Sequence, residues 1–516
     1  MGERASRVGK VYLVGAGPGD AGLITVKGLR CVQEADVLVY DRLAGYRLIQ
    51  MAKPSAKKIY VGKLPDRHAL KQADINQLLV DLANEGLIVT RLKGGDPCVF
   101  GRGAEEAARL KEHDIPFEIV PGVTSAIAVP AYAGIPVTHR DLSPSFSVIT
   151  GHETPDKSDE RVEWDKLAQA TGTLLFLMGV AKLRHICDQL IRNGRSADTP
   201  VAVIRWGTRA EQRTIEGTLA SIADEAERQQ IGSPAVIVVG DVVTARSYMQ
   251  WAEHRPLFGR RILVTRARSQ ASDFVRRIEE LGGEPYEFPV IEMRAPEAPH
   301  KLQAIEQALS QLSSYDWVVL TSVNGVQYWF EHLRRYGADI RQLARTRIVA
   351  VGPKTAEELH IHGIVPDLVA EQFSQEGVWS KMQEYVVAGQ RALLAHGDLA
   401  RPWLKEQLVQ SGVVVEEIDI YETILPEQHD SDLLELLTQN MIHIVTFTSS
   451  STVTNLIIAL QRMGIDRPAE YLAGASIACI GEVTARTARE AGLQVDIVAE
   501  QATLEGLLDA LQHLHT

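Results

Sequence analysis

Residues 11–28 read VYLVGAGPGDAGLITVKG. A run of strand-forming residues ends in glycines and a helix-like stretch follows, the pattern of a strand–turn–helix nucleotide loop. A dinucleotide fingerprint wants a third glycine where this chain has Asp20, after Gly15-Ala16-Gly17-Pro18-Gly19. Pro18 fixes its own φ and lacks an N–H, which weakens a phosphate-cradling reading. Yet Asp41 closes the next strand-like run, DVLVYD, where a dehydrogenase keeps its ribose-binding acid. Taken alone, the loop fits either a cofactor site or a tight structural βα turn.

Working outward, short β-rich runs alternate with helical stretches almost throughout. FSVITG, TLLFLMG, AVIVVG, RILVTRA, WVVLTS and HIVTFTS are examples, each closing on or near a residue that opens a βα turn. The pattern predicts an α/β protein with mainly parallel sheets and ligand sites at the C-terminal ends of strands. A chain of 516 residues exceeds one ordinary core, so two or more domains are expected. The break is placed near 252–259, in YMQWAEHRPLFGRR, ahead of a new strand at Arg261.

Composition narrows the function classes. No apolar run is long enough to span a bilayer, and the charged N-terminus lacks the apolar core of a signal peptide. Cys31, Cys98, Cys187 and Cys479 form no CxxC pair, which speaks against a disulfide framework or zinc site and predicts a reducing, cytoplasmic setting. A net charge of −12 with no basic tract predicts no nucleic-acid partner and no membrane partner. Basic residues for an anionic ligand must therefore gather in one cleft.

The second half repeats itself. VVLTSVNGV (318–326) then VAVGPKTAEELHIHG (349–363) is echoed by VTFTSSSTV (445–453) then ACIGEVTARTAREAG (478–492). Thr321 and Ser322 match Thr448 and Ser449; Gly352 and Thr355 match Gly481 and Thr484. Two similar lobes facing a common cleft follow.

In the first half a strand ends in Lys93-Gly94-Gly95-Asp96-Pro97, within VTRLKGGDPCVFGRGAEEA (89–107). Glycines there let a ligand approach the backbone, and Asp96 is placed to accept from an amine or ribose. With EIVPGVTSA (118–126) and GIPVTHRD (134–141), these segments resemble the uroporphyrinogen-III C-methyltransferases of the tetrapyrrole methylase family, in family order across about 9–250. The resemblance implies S-adenosylmethionine as cofactor, S-adenosylhomocysteine as its product, no metal, and two α/β lobes (9–140 and 141–250) within a domain spanning 1–255, as a homodimer. It places Pro18, Gly94, Gly95, Asp96, Val99, Thr124, Ser125, Met178 and Gly207 at the cofactor. It makes Asp41 a proton acceptor and Lys63 a proton donor, where a surface ion pair is the plainer alternative. The tetrapyrrole substrate is rich in carboxylates, for which Arg42, Arg67, Lys93, Arg102, His139 and Arg140 are candidates. Cys98 stands where Phe is common and reads as a small apolar wall; Ala104 stands where Gly is common.

Residues 256–516 are similar to uroporphyrinogen-III synthase, on RILVTRARSQASDFVRRIEELGGEPYEFPVIE, IDIYETI and the repeated segments quoted above. The similarity implies one lobe from 260–297 with 425–516 and another from 298–422. It implies ring closure of hydroxymethylbilane, with Tyr421 helping hydroxyl departure; a packing role is the alternative. Thr265, Arg266, Ser322, Thr355, Ser449 and Thr484 are the expected cleft-edge carboxylate binders, or else helix caps and turn residues. His396 stands where arginine is common. The expected function is a bifunctional enzyme that makes uroporphyrinogen III and methylates it at C2 and C7 to precorrin-2, toward sirohaem or cobalamin. The alternatives are a second half that only binds tetrapyrrole, and a nicotinamide oxidoreductase.

Overall fold

A central strand that is apolar on both faces needs cover on both sides, and the first half supplies it. In the computed structural model, which describes residues 9–62, 71–151, 162–426 and 430–513, five parallel strands form the first sheet. Their order is Lys57–Tyr60, Val37–Tyr40, Ile88–Lys93, Lys10–Gly15, Phe117–Val120. Val11, Leu13, Val37, Val39 and Val89 pack into one apolar cluster, and Val14, Leu38, Leu92 and Val120 into another. That is the behaviour of a parallel sheet covered on both faces. Lys63 and Arg67 lie outside the described residues.

The second sheet departs from the parallel expectation. Its order is Phe146–Thr150, Thr173–Leu177, Ala235–Val239, Pro200–Arg205, Arg213–Thr218, and only the first pair is parallel. Pro200–Arg205 and Arg213–Thr218 are joined by a short turn with no crossover helix, so they must pair antiparallel.

The second half again divides into two sheets. One is all parallel: Glu284–Glu287, Arg261–Val264, Ile444–Phe447, Ser476–Cys479, Val495–Val498. The other runs Glu292–Arg294, Val414–Ile424, Arg391–Gly397, Trp317–Leu320, Arg347–Ala350, Leu368–Val369. Glu292–Arg294 pairs antiparallel with the end of Val414–Ile424, so this strand joins the second of these sheets although residues to 297 were expected in the first lobe. Two chain crossings, through Glu292–Arg294 and Val414–Ile424, thus link the lobes.

The segment 252–259 is packed, not a loose tether: Ala252 and Leu257 are buried, and the Leu257 N–H donates to the Leu281 carbonyl at 2.9 Å. Beside it, Glu284 of the second half accepts from Arg209 and the Ala210 N–H of the first half, and from Arg261, which also meets Glu211 at 2.7 Å. Burial opposes ionisation of Glu284, but the Arg209 and Arg261 guanidiniums outweigh it and hold the carboxyl well below the usual carboxylate range. A depressed carboxyl stabilises the fold above its unfolded pKa of about 4.3, and that stabilisation fades as pH falls further. Glu284→Gln is therefore expected to lower the melting temperature at pH 7, and the gap between variant and wild type should narrow, without vanishing, as melting curves are taken from pH 5 down to pH 3.

Candidate active sites

The loops that follow the two central strands of the first sheet meet backbone to backbone. Gly17 and Gly95 form an antiparallel bridge, with the Gly95 N–H donating to the Gly17 carbonyl at 2.7 Å. A Cβ on Gly15 would lie 2.5 Å from the Gly122 Cα, and one on Gly122 would lie 2.4 Å from the Gly95 carbonyl oxygen. Gly95 has φ +68° and faces the start of helix Ser125–Tyr132, which Thr124 caps by accepting from the Ala126 N–H. The same helix meets Gly207, whose Cβ would lie 2.4 Å from Val129. The Asp20 N–H donates to Thr208 Oγ1 across the two lobes at 3.0 Å. Pro18, Gly94, Gly95, Asp96, Thr124, Ser125 and Gly207 are thereby gathered along one seam, with Val99 half-buried on the Asp96 turn. Met178 stands on the second lobe, half-exposed with φ 57°, at the end of Thr173–Leu177.

Asp96 is held within the seam. Its Oδ1 accepts from the Cys98 N–H at 2.7 Å and its Oδ2 from the Gly122 N–H at 2.9 Å, so it fastens two loops of the seam together. Cys98 is exposed, while burial pushes the Cys187 and Cys479 thiols up to about 11, which leaves these two inert at neutral pH.

Asp41 sits where the strand Val37–Tyr40 ends. Arg91 donates to its Oδ2 at 3.1 Å and the Leu43 N–H to its Oδ1 at 3.1 Å. Arg91 and Lys93, two apart on the same central strand, share the fully buried Glu106 at 3.3 and 2.6 Å. Two buried cations against one carboxylate leave a charge that Asp41 balances. Lys93 is 4% exposed; burial and the neighbouring Arg91 push its ammonium below its ordinary value against the pull of Glu106. The expectation that Lys93 binds substrate is corrected here: a lysine at the centre of a sheet, committed to an internal carboxylate, cannot reach a ligand. Arg42 is exposed, with its guanidinium 5.7 Å from the centre of the Trp206 ring. Arg102 and Arg140 are also exposed; Arg102 pairs with Glu105 at 2.8 Å, and His139 Nδ1 accepts from the Asp141 N–H at 3.1 Å. Sequence reasoning missed Arg91, Glu106 and Trp206. The one available signal was charge within a strand-like run, at Arg91 two residues before Lys93.

In the second half, hydroxyls and one arginine line the strand ends. Ser449 caps helix Ser450–Arg462 in a reciprocal box with Thr452. With Arg266, Ala267, Ile291 and Thr448 these two line a cleft of about 140 Å³. Burial pushes the Arg266 guanidinium down from its ordinary value, and its Nε has no hydrogen-bond partner among the described residues. In the other lobe Ser322 caps helix Val323–Tyr336, and its Oγ lies 3.2 Å from the Tyr421 hydroxyl. The Tyr421 ring lies 5.5 Å from that of Tyr328 and covers Gly397, where a Cβ would lie 2.6 Å from it. Thr265, Thr355 and Thr484 do not line the Arg266 cleft. Thr265 is fully buried and donates to the Thr446 carbonyl at 2.8 Å; Thr355 and Thr484 are buried on the core side of their helices. The expected carboxylate contact of Thr265 is corrected: its hydroxyl is committed to a core carbonyl and closed to substrate. Buried His396 keeps Nδ1 3.0 Å from the Gly397 carbonyl.

Residues 10–223 match the tetrapyrrole (corrin/porphyrin) methylases and residues 272–509 match uroporphyrinogen-III synthase HemD. A porphyrin biosynthesis protein HemD of Ruminiclostridium josui is 38% identical across 98% of this chain and 97% of its own length. The chain belongs to both families. It joins in one polypeptide two enzyme families of tetrapyrrole biosynthesis, a methylase half and a synthase half. A uroporphyrinogen-III C-methyltransferase of Bacillus subtilis is 37% identical over 92% of each chain. An S-adenosyl-L-methionine-dependent uroporphyrinogen III methyltransferase of Methanosarcina barkeri is 54% identical over 46% of this chain and 92% of its own.

At Gly15 and Gly122 the seam admits no side chain, because the nearest atoms a new Cβ would meet are backbone. Gly122→Ala is expected to destabilise the methylase half by about 2 kcal/mol, seen as a melting transition lowered by roughly 5 °C, whereas Ala at the unobstructed Gly232 should leave melting unchanged.

Proposed function

We propose that the synthase half closes hydroxymethylbilane to uroporphyrinogen III and that the methylase half methylates this product at C2 and C7 to precorrin-2. The methyl donor in this reading is S-adenosylmethionine, released as S-adenosylhomocysteine. One observation carries it: a seam of bare glycine backbone beside a clamped Asp41 in one half, and hydroxyls around an unmatched Arg266 in the other.

The seam fits the donor. A Cβ at Gly94 would lie 2.4 Å from the Leu43 Cβ, so only glycine fits beneath Leu43, and the neighbouring backbone at Gly95 offers main-chain groups to an adenosyl or methionyl moiety. The name of the Methanosarcina barkeri relative supports the same cofactor. When bound, the donor supplies an electrophilic methyl group. The chain's own task is to orient the macrocycle and move its proton. Asp41 accepts the proton released from the methylated ring system; Arg91 and the Leu43 N–H fix the direction of its two oxygens. Arg42 and Arg102 offer guanidiniums to substrate carboxylates. Lys63 is assigned its donor role by resemblance alone.

In the synthase half the substrate carries its own leaving group. Tyr421 gives its phenolic proton to the departing hydroxyl, which leaves as water, and Ser322 stands beside it. Arg266, with Ser449 and the open end of helix Ser450–Arg462, suits a carboxylate. The oxidoreductase alternative is disfavoured by Asp20. Its carboxylate accepts from the Gly22 N–H at 2.7 Å and from Tyr132 at 2.6 Å, so the third-glycine position is a structural cap. Among the described residues no helix is long and apolar enough to cross a membrane. A homodimer through the methylase half and a cytoplasmic setting complete the reading, on family resemblance and cysteine usage.

Hydroxymethylbilane and labelled S-adenosylmethionine fed to the purified chain should yield doubly labelled precorrin-2; cyclised product without label, or no cyclisation, would overturn one half or the other. Asp41→Asn is expected to slow methylation about a hundredfold with cyclisation intact. Tyr421→Phe should slow cyclisation about tenfold with methylation of supplied uroporphyrinogen III intact.

A further inference from the structure

The helix Tyr46–Gln50 belongs to the methylase half but turns its polar side chains to the synthase half. Leu48 and Ile49 are buried in the methylase core. On the other side the Tyr46 ring stacks on Tyr286, with centroids 4.3 Å apart and planes 10° from parallel. The Tyr46 hydroxyl donates to Asp430 and accepts from Gln50. Tyr286 donates to the same Asp430 at 2.9 Å, and Asp430 caps helix Ser431–Thr438 through the Leu433 N–H at 3.0 Å. Arg47 meets Glu279 and, at 3.5 Å, Glu287.

This clasp lies directly downstream of the segment Asp41–Gly45. Asp41 is tied to Arg91, Arg42 lies over Trp206 and Leu43 covers Gly94, so the segment forms one wall of the proposed methylation site. On the synthase side, Tyr286 and Glu287 end the strand that precedes the crossing Glu292–Arg294, and Asp430 shortly follows the crossing Val414–Ile424. The clasp therefore grips the synthase at the roots of the two crossings that join its lobes.

We propose that Tyr46, held by Asp430 and Tyr286, is a positioning residue through which the synthase half sets the placement of the methylase wall Asp41–Gly45. The proposal rests on the functional reading above. Methylation then depends on residues of the other half that touch neither donor nor macrocycle.

The test uses the full chain and uroporphyrinogen III supplied directly, which bypasses the synthase reaction. Tyr46→Phe keeps the stacked ring and removes the hydroxyl; Asp430→Asn keeps a good helix cap and removes the charged acceptor. Both variants should raise the KM for uroporphyrinogen III, or lower kcat, by about fivefold. Affinity for S-adenosylhomocysteine and the rate of hydroxymethylbilane cyclisation should stay within twofold, which a general loss of folding would not allow. The double variant should be no worse than the worse single one, as for two ends of one contact. Methylation constants within twofold of wild type in both variants would overturn the positioning role while leaving the functional reading intact. A wild-type chain that does not methylate uroporphyrinogen III would overturn both.

Discussion

The methylase half depends on an approach of main chain to main chain that only glycine permits. Gly15 and Gly122 lie against each other and against the Gly95 carbonyl closer than any Cβ allows, and the carboxylate of Asp96 bolts its own loop to that of Gly122 by accepting a backbone N–H from each. What remains exposed along that seam is peptide rather than side chain. A surface of fixed N–H and C=O groups reads a ligand by shape and hydrogen bonding without paying rotamer entropy. The helix Ser125–Tyr132 extends the constraint to the second lobe, since its Val129 fits only against a glycine at 207.

Beside the seam lies a small network of buried charge. Glu106 sits under Arg91 and Lys93, and Asp41 supplies the second negative charge from the cleft edge. Buried cations are costly when unpaired, so the network fixes Asp41 in place as firmly as it is itself fixed by the core. A carboxylate oriented by Arg91 on one oxygen and by its own loop on the other has little freedom to turn away from the cleft edge. The synthase half works differently. Its strand ends carry serine caps, Ser322 and Ser449, and the Tyr421 hydroxyl lies 3.2 Å from the first of them.

The halves are joined as a built interface. Glu284 gathers Arg209, Arg261 and a backbone N–H, and Tyr46 lies flat on Tyr286 with both hydroxyls on Asp430. Charge-assisted and aromatic contacts of this kind hold orientation more than they add bulk stability. Fusion of consecutive steps also raises the local concentration of an intermediate.

The alternation of β-rich runs with helical stretches, the glycine loops and the repeated TS and G-x-x-TA segments were legible in order, and so were the two families and the capping serines. These are local matters: strand preference, a turn that needs glycine, a hydroxyl that caps the helix it precedes. The mixed sheet around Pro200–Thr218 was not legible, because pairing direction is set by how the chain returns. The inward turn of Thr265 and the burial of Lys93 were equally hidden, since which face of an element meets the core depends on its neighbours. Arg91 with Asp41, and Tyr46 with Asp430, are partners separated by long stretches of chain. The sequence by itself determined which segments become strands, turns and caps, because those preferences act over a few residues. Only the tertiary structure decided which charges meet and which side chains face a ligand, because electrostatic pairing and packing act through space between residues that the chain order keeps apart.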